Sequence, residues 1–474
     1  MKYLIGIDNG SQSTKVSVFN EHGTVVSEAR QTLRPNDTPR PGIVEHPGDD
    51  LWSSIGKASR SAMRAFPGDV ADIAGVGLCT IRFCRALLKA DGTLAQPVMS
   101  WMDERVARPY EHEGGSVCYV TTSSGYISHR MTGEYKDTAA NYQGVWPIST
   151  DRWEWLRDDE GFAKFGIQRE MLFELVMPGD VLGYVTPSAS RHTGIPAGVP
   201  VIATANDKAV EALGCGVRSP DTLLVSLGTY IASMALGQQN RVGATSFWPN
   251  FASVPHRYLY ESHGIRRGMW TVSWWRDILG QEARAAARSR GMTVERYLDA
   301  EAAELPAGSD GLMVVLDWLA PAEAPYKKGS ILGFDVRHGR AHVHRAIFEG
   351  IALTIRRCAE AMSNELGQVY RELTISGGGS GSDLFMQVFA DVFGMQATRT
   401  RVNDAAGLGA AICAAVGQGL YGSWDEAMEN MVAPELAFAP DAKNHEIYGR
   451  LSAIYDGIPD LTDRIFQGTY GIFG

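Results

Sequence analysis

Long hydrophobic runs are missing from this sequence: no stretch approaches the roughly 18 consecutive apolar residues that a membrane-spanning helix needs, which excludes a helical membrane protein. Excess positive charge is missing too. Lys+Arg 44 stands against Asp+Glu 54, a net charge of −10, and such a balance is a poor match for nucleic acid or an anionic membrane surface. The six cysteines, at 79, 84, 118, 215, 358 and 413, form no C-x-x-C pair. That excludes a zinc ribbon or a thioredoxin-type motif and leaves reduced structural thiols. Also absent are G-x-x-x-x-G-K-[ST], H-E-x-x-H and G-x-S-x-G, which argues against a mononucleotide P-loop, a zinc protease and a nucleophile-elbow hydrolase. Asp8 falls before the apolar core of a signal peptide could form, so the expected location is the cytoplasm.

Glycine, by contrast, is abundant. There are 52 glycines in 474 residues, above the usual share of about 7%, with no Gly-X-Y period and only 21 prolines. The surplus therefore belongs in ordered turns. With 45% hydrophobic and 21% charged residues the chain can bury sizeable cores, and its length predicts about three domains or two large ones. Strand-like and helical patterns alternate, which predicts an α/β fold. Residues 3–7 and 15–19 read as strands around a turn rich in glycine and hydroxyl residues, and 222–226 and 230–236 repeat that unit. Asp8-x-Gly10-Ser11 and Ser226-x-Gly228-Thr229 are offset by 218 residues, which divides the chain into two similar halves, 1–217 and 218–474. Further strands are predicted at 73–79, 85–89, 94–99, 199–205, 331–336 and 371–376, and helices at 208–213, 341–367 and 383–393; residues 146–169 show no clean period.

Phosphate is bound well where small residues let backbone NH groups and hydroxyls approach its oxygens and a helix amino terminus points there. The run Gly377-Gly378-Gly379-Ser380-Gly381-Ser382 has that form; it reads equally as a tight strand-to-helix turn. Ser382 breaks the G-x-G-x-x-G dinucleotide pattern. The two hairpin turns, if they face each other, can clasp a polyphosphate, with Asp8 placed to hold a phosphate-bound Mg²⁺ through waters. Lys15 is either a phosphate partner or a solvent-facing strand lysine. Asp207 follows an apolar strand at the start of a helix, where it reads as an N-cap or as a general base at the carboxyl end of the strand. Trp101-Met102-Asp103-Glu104-Arg105, with Arg82, combines an aromatic face, carboxylates and guanidinium groups suited to a polyhydroxylated ligand, or forms an exposed charged helix start. His338, His342 and His344 alternate as on a surface strand and lack the companions of a metal site.

These pieces together resemble the FGGY carbohydrate kinases. Asp8 to Lys15 is similar to their opening phosphate motif, Trp101 to Arg105 to their W-x-D-x-R segment, and Arg130-Met131-Thr132-Gly133-Glu134 to their R-L-T-G-E helix end. Ala205-Asn206-Asp207 falls where that family has its catalytic aspartate, and Leu227-Gly228-Thr229 resembles its second phosphate loop. Arg345 to Ala352 matches the R-A-x-x-E-G-I-A helix, and Gly377 to Ser380 with Gln387, Ala390 and Asp391 the adenosine-side motif. The resemblance implies two actin-like (ribonuclease H-like) ATPase domains flanking a central cleft, with ATP and Mg²⁺ between them. It implies Asp207 as the base that deprotonates a sugar hydroxyl and Asp8 as the Mg²⁺ holder. Gly10, Ser11, Ser13, Lys15, Gly228, Thr229, Gly378, Gly379 and Ser380 would hold the nucleotide, and Arg82, Trp101, Asp103, Asp207 and Lys208 the substrate. A homodimer is expected on the resemblance alone. Phe83 after Arg82 departs from glycerol kinases, no P-K-L-L-W-L-like motif lies between 103 and 132, and Lys208 replaces the usual Asn or Gln. Arg82 and Lys208 raise the expectation of an anionic group on the substrate, such as a sugar acid. An actin-like ATPase without sugar kinase activity and a nucleotide-dependent oxidoreductase are the competing readings.

Overall fold

Tyr3–Asn9 and Ser13–Asn20 pair antiparallel across the turn at 10–12, with Asp8 opposite Lys15. The computed structural model describes all residues of 1–474 except 113, 322, 403 and 474. Val25–Thr32 extends the hairpin into a meander, and Ile73–Thr80 and then Pro200–Ala203 add in parallel beside Tyr3–Asn9, with Val181–Tyr184 antiparallel at the edge. The second sheet repeats the plan. Thr222–Leu227, Ile231–Gly237 and Tyr258–Ser262 form the antiparallel meander, with Phe247–Phe251 outside it. Glu372–Ser376 and Ala397–Thr400 then add in parallel and Pro434–Phe438 closes the edge. Strands covered on both faces carry unbroken apolar runs rather than alternation, and all six residues of Thr222–Leu227 are buried. The architecture is the duplicated actin-like one, with two α/β domains about a cleft.

A division at residue 218 separates the two sheets but not the layers that cover them. Helices Ala405–Gly417 and Trp424–Met431, late in the chain, pack on the first sheet, where Leu408, Ala411 and Ile412 share a core with Leu4, Phe19, Ile202 and Leu213. Small residues make this approach close enough: a Cβ on Gly6 would lie 2.0 Å from the Gly407 carbonyl oxygen, and one on Gly409 would lie 1.9 Å from that of Val210. Part of the glycine surplus therefore serves interlayer contact, not loops.

Three local expectations need correction. Residues 94–99 form no strand; isolated bridges join Leu94 to Leu88 and Met99 to Arg85, and Pro97 between them has no NH for a ladder. Of the 331–336 region only Ile331 and Leu332 lie in a strand, Ser330–Leu332, which is ended by Gly333 at φ 98. The histidines are not on a strand: His342 and His344 lie on helix Arg340–Leu366 and His338 in the turn before it. Each faces its own carboxylate, Asp335 for His338, Asp310 for His342 and Asp299 for His344. No group of three or more metal-ligating residues forms among the described residues, and no helix there is long and apolar enough to cross a membrane.

Candidate active site

Asp207 opens helix Asp207–Gly214 at the carboxyl end of Pro200–Ala203, but it is not the cap. The preceding Asn206 caps the helix, its Oδ1 accepting from the Ala209 NH at 3.0 Å. Asp207 is left with one backbone bond, from Lys208 NH at 3.0 Å, and lies 3.7 Å from Arg82 Nε. Burial pushes its carboxyl above the ordinary range, partly offset by Arg82 and Lys208. A weakly satisfied carboxylate with a raised proton affinity is equipped to take a proton from a hydroxyl.

Arg82 sits two residues beyond Ile73–Thr80, beside Phe83, whose backbone adopts φ 62, a left-handed conformation unusual for an aromatic residue and a mark of local constraint. Its guanidinium is gripped from the other domain: Nη1 and Nη2 donate to the two carboxylate oxygens of Glu261 at 2.6 and 2.9 Å, and Nη1 also donates to Asn250 Oδ1 at 3.2 Å. Glu261 is 1% exposed; burial raises its proton affinity, but the fork of Arg82 overcomes that and holds the carboxyl below the usual range. Lys208 does not reach towards Asp207's open side. Its Nζ bonds Ser226 Oγ at 2.6 Å and Glu211 at 3.1 Å. Each of the two cations behind the expectation of an anionic substrate is paired with a carboxylate, Arg82 with Glu261 and Lys208 with Glu211.

Trp101 is 49% exposed, and its backbone meets the Cys84 thiol two residues from Arg82. Asp103, in contrast, is spent on structure. It is buried, caps the turn Glu104–Ala107, accepts from Val44 NH at 2.8 Å and takes a two-point grip from Arg105. Arg105 also pairs with Glu45 at 2.6 Å. The segment thus presents an aromatic face on a braced turn.

The three glycine turns come together. Gln12 in the first hairpin turn donates to Thr229 Oγ1 in the second at 3.2 Å. Gly377, at φ 84, and Gly379 press on Leu227, where a Cβ would lie 2.6 Å from its carbonyl oxygen and 2.9 Å from its side chain respectively. Gly378 faces open space, and Ser380 bonds back to the Gly377 carbonyl. Ser11 is exposed, whereas Ser13 is buried and accepts from Arg30 Nε at 3.0 Å. Two resemblance motifs are anchors instead. Glu349 binds Gly308 NH, the Ser309 and Tyr448 hydroxyls and Arg345, and Asp391 binds Gln387, the Asp441 NH and Asn444.

Lys15, about a third exposed, lies beside two carboxylates: its Nζ is 4.0 Å from Asp8 and 3.7 Å from Asp404. Burial, then repulsion from Asp404, pushes Asp8 up to about 7, with Lys15 only partly offsetting them. Two carboxylates, Asp404 buried and Asp8 half-buried, that share one lysine fit a hard divalent cation. Asp404, Glu261, Asn250 and Glu211 were not singled out from sequence. Asp404 alone carried a local signal, as the N-cap before Gly407-Leu408-Gly409. The strain at Asp8 is measurable. A folded-state value raised above 3.8 costs nothing below pH 4, costs more between about 4 and 7, and costs the full amount above 7. Asp8→Asn is therefore expected to stabilise the chain in EDTA at pH 8, by about 1–3 kcal/mol, and the gain should vanish towards pH 4 in thermal unfolding. An equal effect at both pH values would show that Asp8 carries no such strain.

Residues 3–113 and 111–214 match the amino-terminal domain model of the FGGY family of carbohydrate kinases, and residues 223–418 match its carboxyl-terminal domain model. The chain belongs to this family. It is a phosphotransferase with an alcohol group as acceptor, and the family uses ATP as co-substrate. The chain is 47% identical over 472 residues to an uncharacterized sugar kinase of Escherichia coli K12, YgcE, covering 99% of this chain and 96% of that one. It is 25% identical to xylulose kinase of Bacillus subtilis, covering 97% of each. Its fold superposes on the crystal structure of xylulose kinase from Rhodospirillum rubrum with a TM-score of 0.83 at 24% identity, covering 98% of this chain and 100% of that one.

Proposed function

We propose that this FGGY kinase transfers the γ-phosphoryl group of ATP to a hydroxyl of a small uncharged sugar, ketopentose-like or a polyol, with Asp207 as general base. The observation that carries the reading is the pairing of Arg82 with Glu261 beside a carboxylate that caps nothing. Arg82 and Lys208 face Glu261 and Glu211 before Asp207 itself is counted, so the pocket offers no surplus positive charge to a substrate carboxylate. Trp101 supplies a face for sugar CH groups, and Arg82 retains donors for hydroxyl oxygens. Gly10, Ser11, Gly228, Thr229, Gly378 and Gly379 would contact the nucleotide. Asp8 and Asp404 would hold Mg²⁺, which when bound neutralises phosphate charge. Asp207 accepts the hydroxyl proton as the oxygen attacks, and closure of the cleft keeps out water that would otherwise compete as acceptor.

ATP consumption measured with ketoses, polyols and aldonates tests the reading. Turnover is expected with at least one neutral ketose or polyol and with no aldonate. An ATPase rate unchanged by every compound would overturn the kinase reading, and turnover confined to aldonates would overturn the uncharged substrate.

A further inference from the structure

Glu211 lies one helical turn after Asp207, on the same helix, yet its carboxylate reaches across to the second domain. Oε1 accepts from Ser376 Oγ at 2.5 Å and Ser226 Oγ at 2.8 Å, while Oε2 accepts from Ser226 at 2.9 Å and Lys208 Nζ at 3.1 Å. The group is nearly enclosed, with side-chain exposures of 15% for Lys208 and 13% for Glu211. Its two serine partners occupy matching places. Ser226 is the penultimate residue of Thr222–Leu227, which runs into Gly228 and Thr229, and Ser376 ends Glu372–Ser376, which runs into Gly377 and Gly378. One carboxylate therefore fastens the helix that starts at Asp207 to the strand ends feeding both glycine turns of the second domain. Lys208 keeps that carboxylate ionised, since its charge and the serine donors outweigh burial and hold Glu211 below the ordinary range.

We infer that Glu211 is a positioning residue that ties the helix of the base to the two nucleotide turns, so that their register depends on it although it touches no nucleotide. The inference rests on the proposal that those turns hold ATP. Glutamine is nearly the same size, but it has one acceptor oxygen for two hydroxyls and an ammonium, and its amide presents donors to Lys208. The two strand ends stay paired with each other, but they lose their common tie to the helix that starts at Asp207, so the amides of Gly228 and Gly378 are no longer fixed relative to that helix. Such a residue couples to its partners instead of adding to them.

The test is ADP binding by calorimetry at 10 °C to the natural chain, Glu211→Gln, Ser376→Ala and the double variant, alongside thermal unfolding without nucleotide. Each single variant is expected to weaken ADP about tenfold, the double variant no more than Glu211→Gln alone, and Glu211→Asp to recover part of the loss. Natural ADP affinity in a folded Glu211→Gln, or strictly additive losses in the double variant, would overturn the inference while leaving the nucleotide site in place. A natural chain that fails to bind ADP would overturn both. Ser376→Ala removes one hydroxyl from the other domain and serves as the folded probe if Glu211→Gln does not accumulate. Unchanged ADP affinity in that variant counts against the tie.

Discussion

Asp207→Asn is expected to abolish sugar phosphorylation, lowering kcat by about 10² to 10⁴, while ADP binding stays within a few fold. The reasoning begins with the cap. Because Asn206 closes the first turn of Asp207–Gly214, Asp207 is not needed to satisfy the helix, and the amide replacement keeps the helix start intact. Asparagine also keeps the acceptor that meets the Lys208 NH. What it lacks is basicity. Loss confined to kcat, with ADP affinity preserved and the unfolding temperature no lower than in the natural chain, is the signature of a group used in the chemical step. An Asn variant with near-normal turnover would remove Asp207 from that role and leave the raised proton affinity without a catalytic meaning.

The same residue shows where sequence reading reaches and where it stops. Position along the chain places Asp207 at the end of an apolar strand and the start of a helix, because apolar runs and helix periodicity are local. Whether it capped the helix or faced a ligand depended on Asn206, its neighbour with the same capping chemistry. The hairpin duplication was legible through its spacing of 218 residues, and both sheets carry it. What sequence did not reveal are the partners supplied by distant strands. Glu261 and Asn250 come to Arg82 from strands about 170–180 positions away, and Glu211 finds Ser376 165 positions on. Buried carboxylates of this kind have no local pattern, since their ionisation is maintained by contacts that exist only after both domains have folded. Lys15 and Asp404 repeat the lesson at the other end of the cleft. A strand lysine faces solvent by default, and only the late helix Ala405–Gly417, packed on the first sheet, brings Asp404 within 3.7 Å of it.

Glu261→Gln is expected to cost about 10² to 10³ in kcat/KM for neutral substrates, a loss comparable with removal of a preorganised electrostatic group. In the natural chain the guanidinium of Arg82 divides its attention: two short bonds go to Glu261, and Asp207 is left at 3.7 Å. With the carboxylate gone, the same fork has a neutral amide on one side and Asp207 on the other. It will favour Asp207, because a charge-assisted bidentate pair is stronger than a bond to an amide. The base then becomes less basic, so the activity that remains should extend to lower pH as its maximum falls. The charge count rises from −1 to zero at the same time. Arg82 and Lys208 against Glu211 and Asp207 leave the pocket one negative charge poorer, and aldonates, on which the natural chain is expected to show no turnover, should gain measurable turnover relative to the uncharged sugars. A substrate panel run on both proteins across pH reads all three effects together. If Glu261→Gln keeps the natural rate on neutral sugars, the ion pair serves only to join the domains, and the selectivity for an uncharged substrate must come from somewhere other than Arg82.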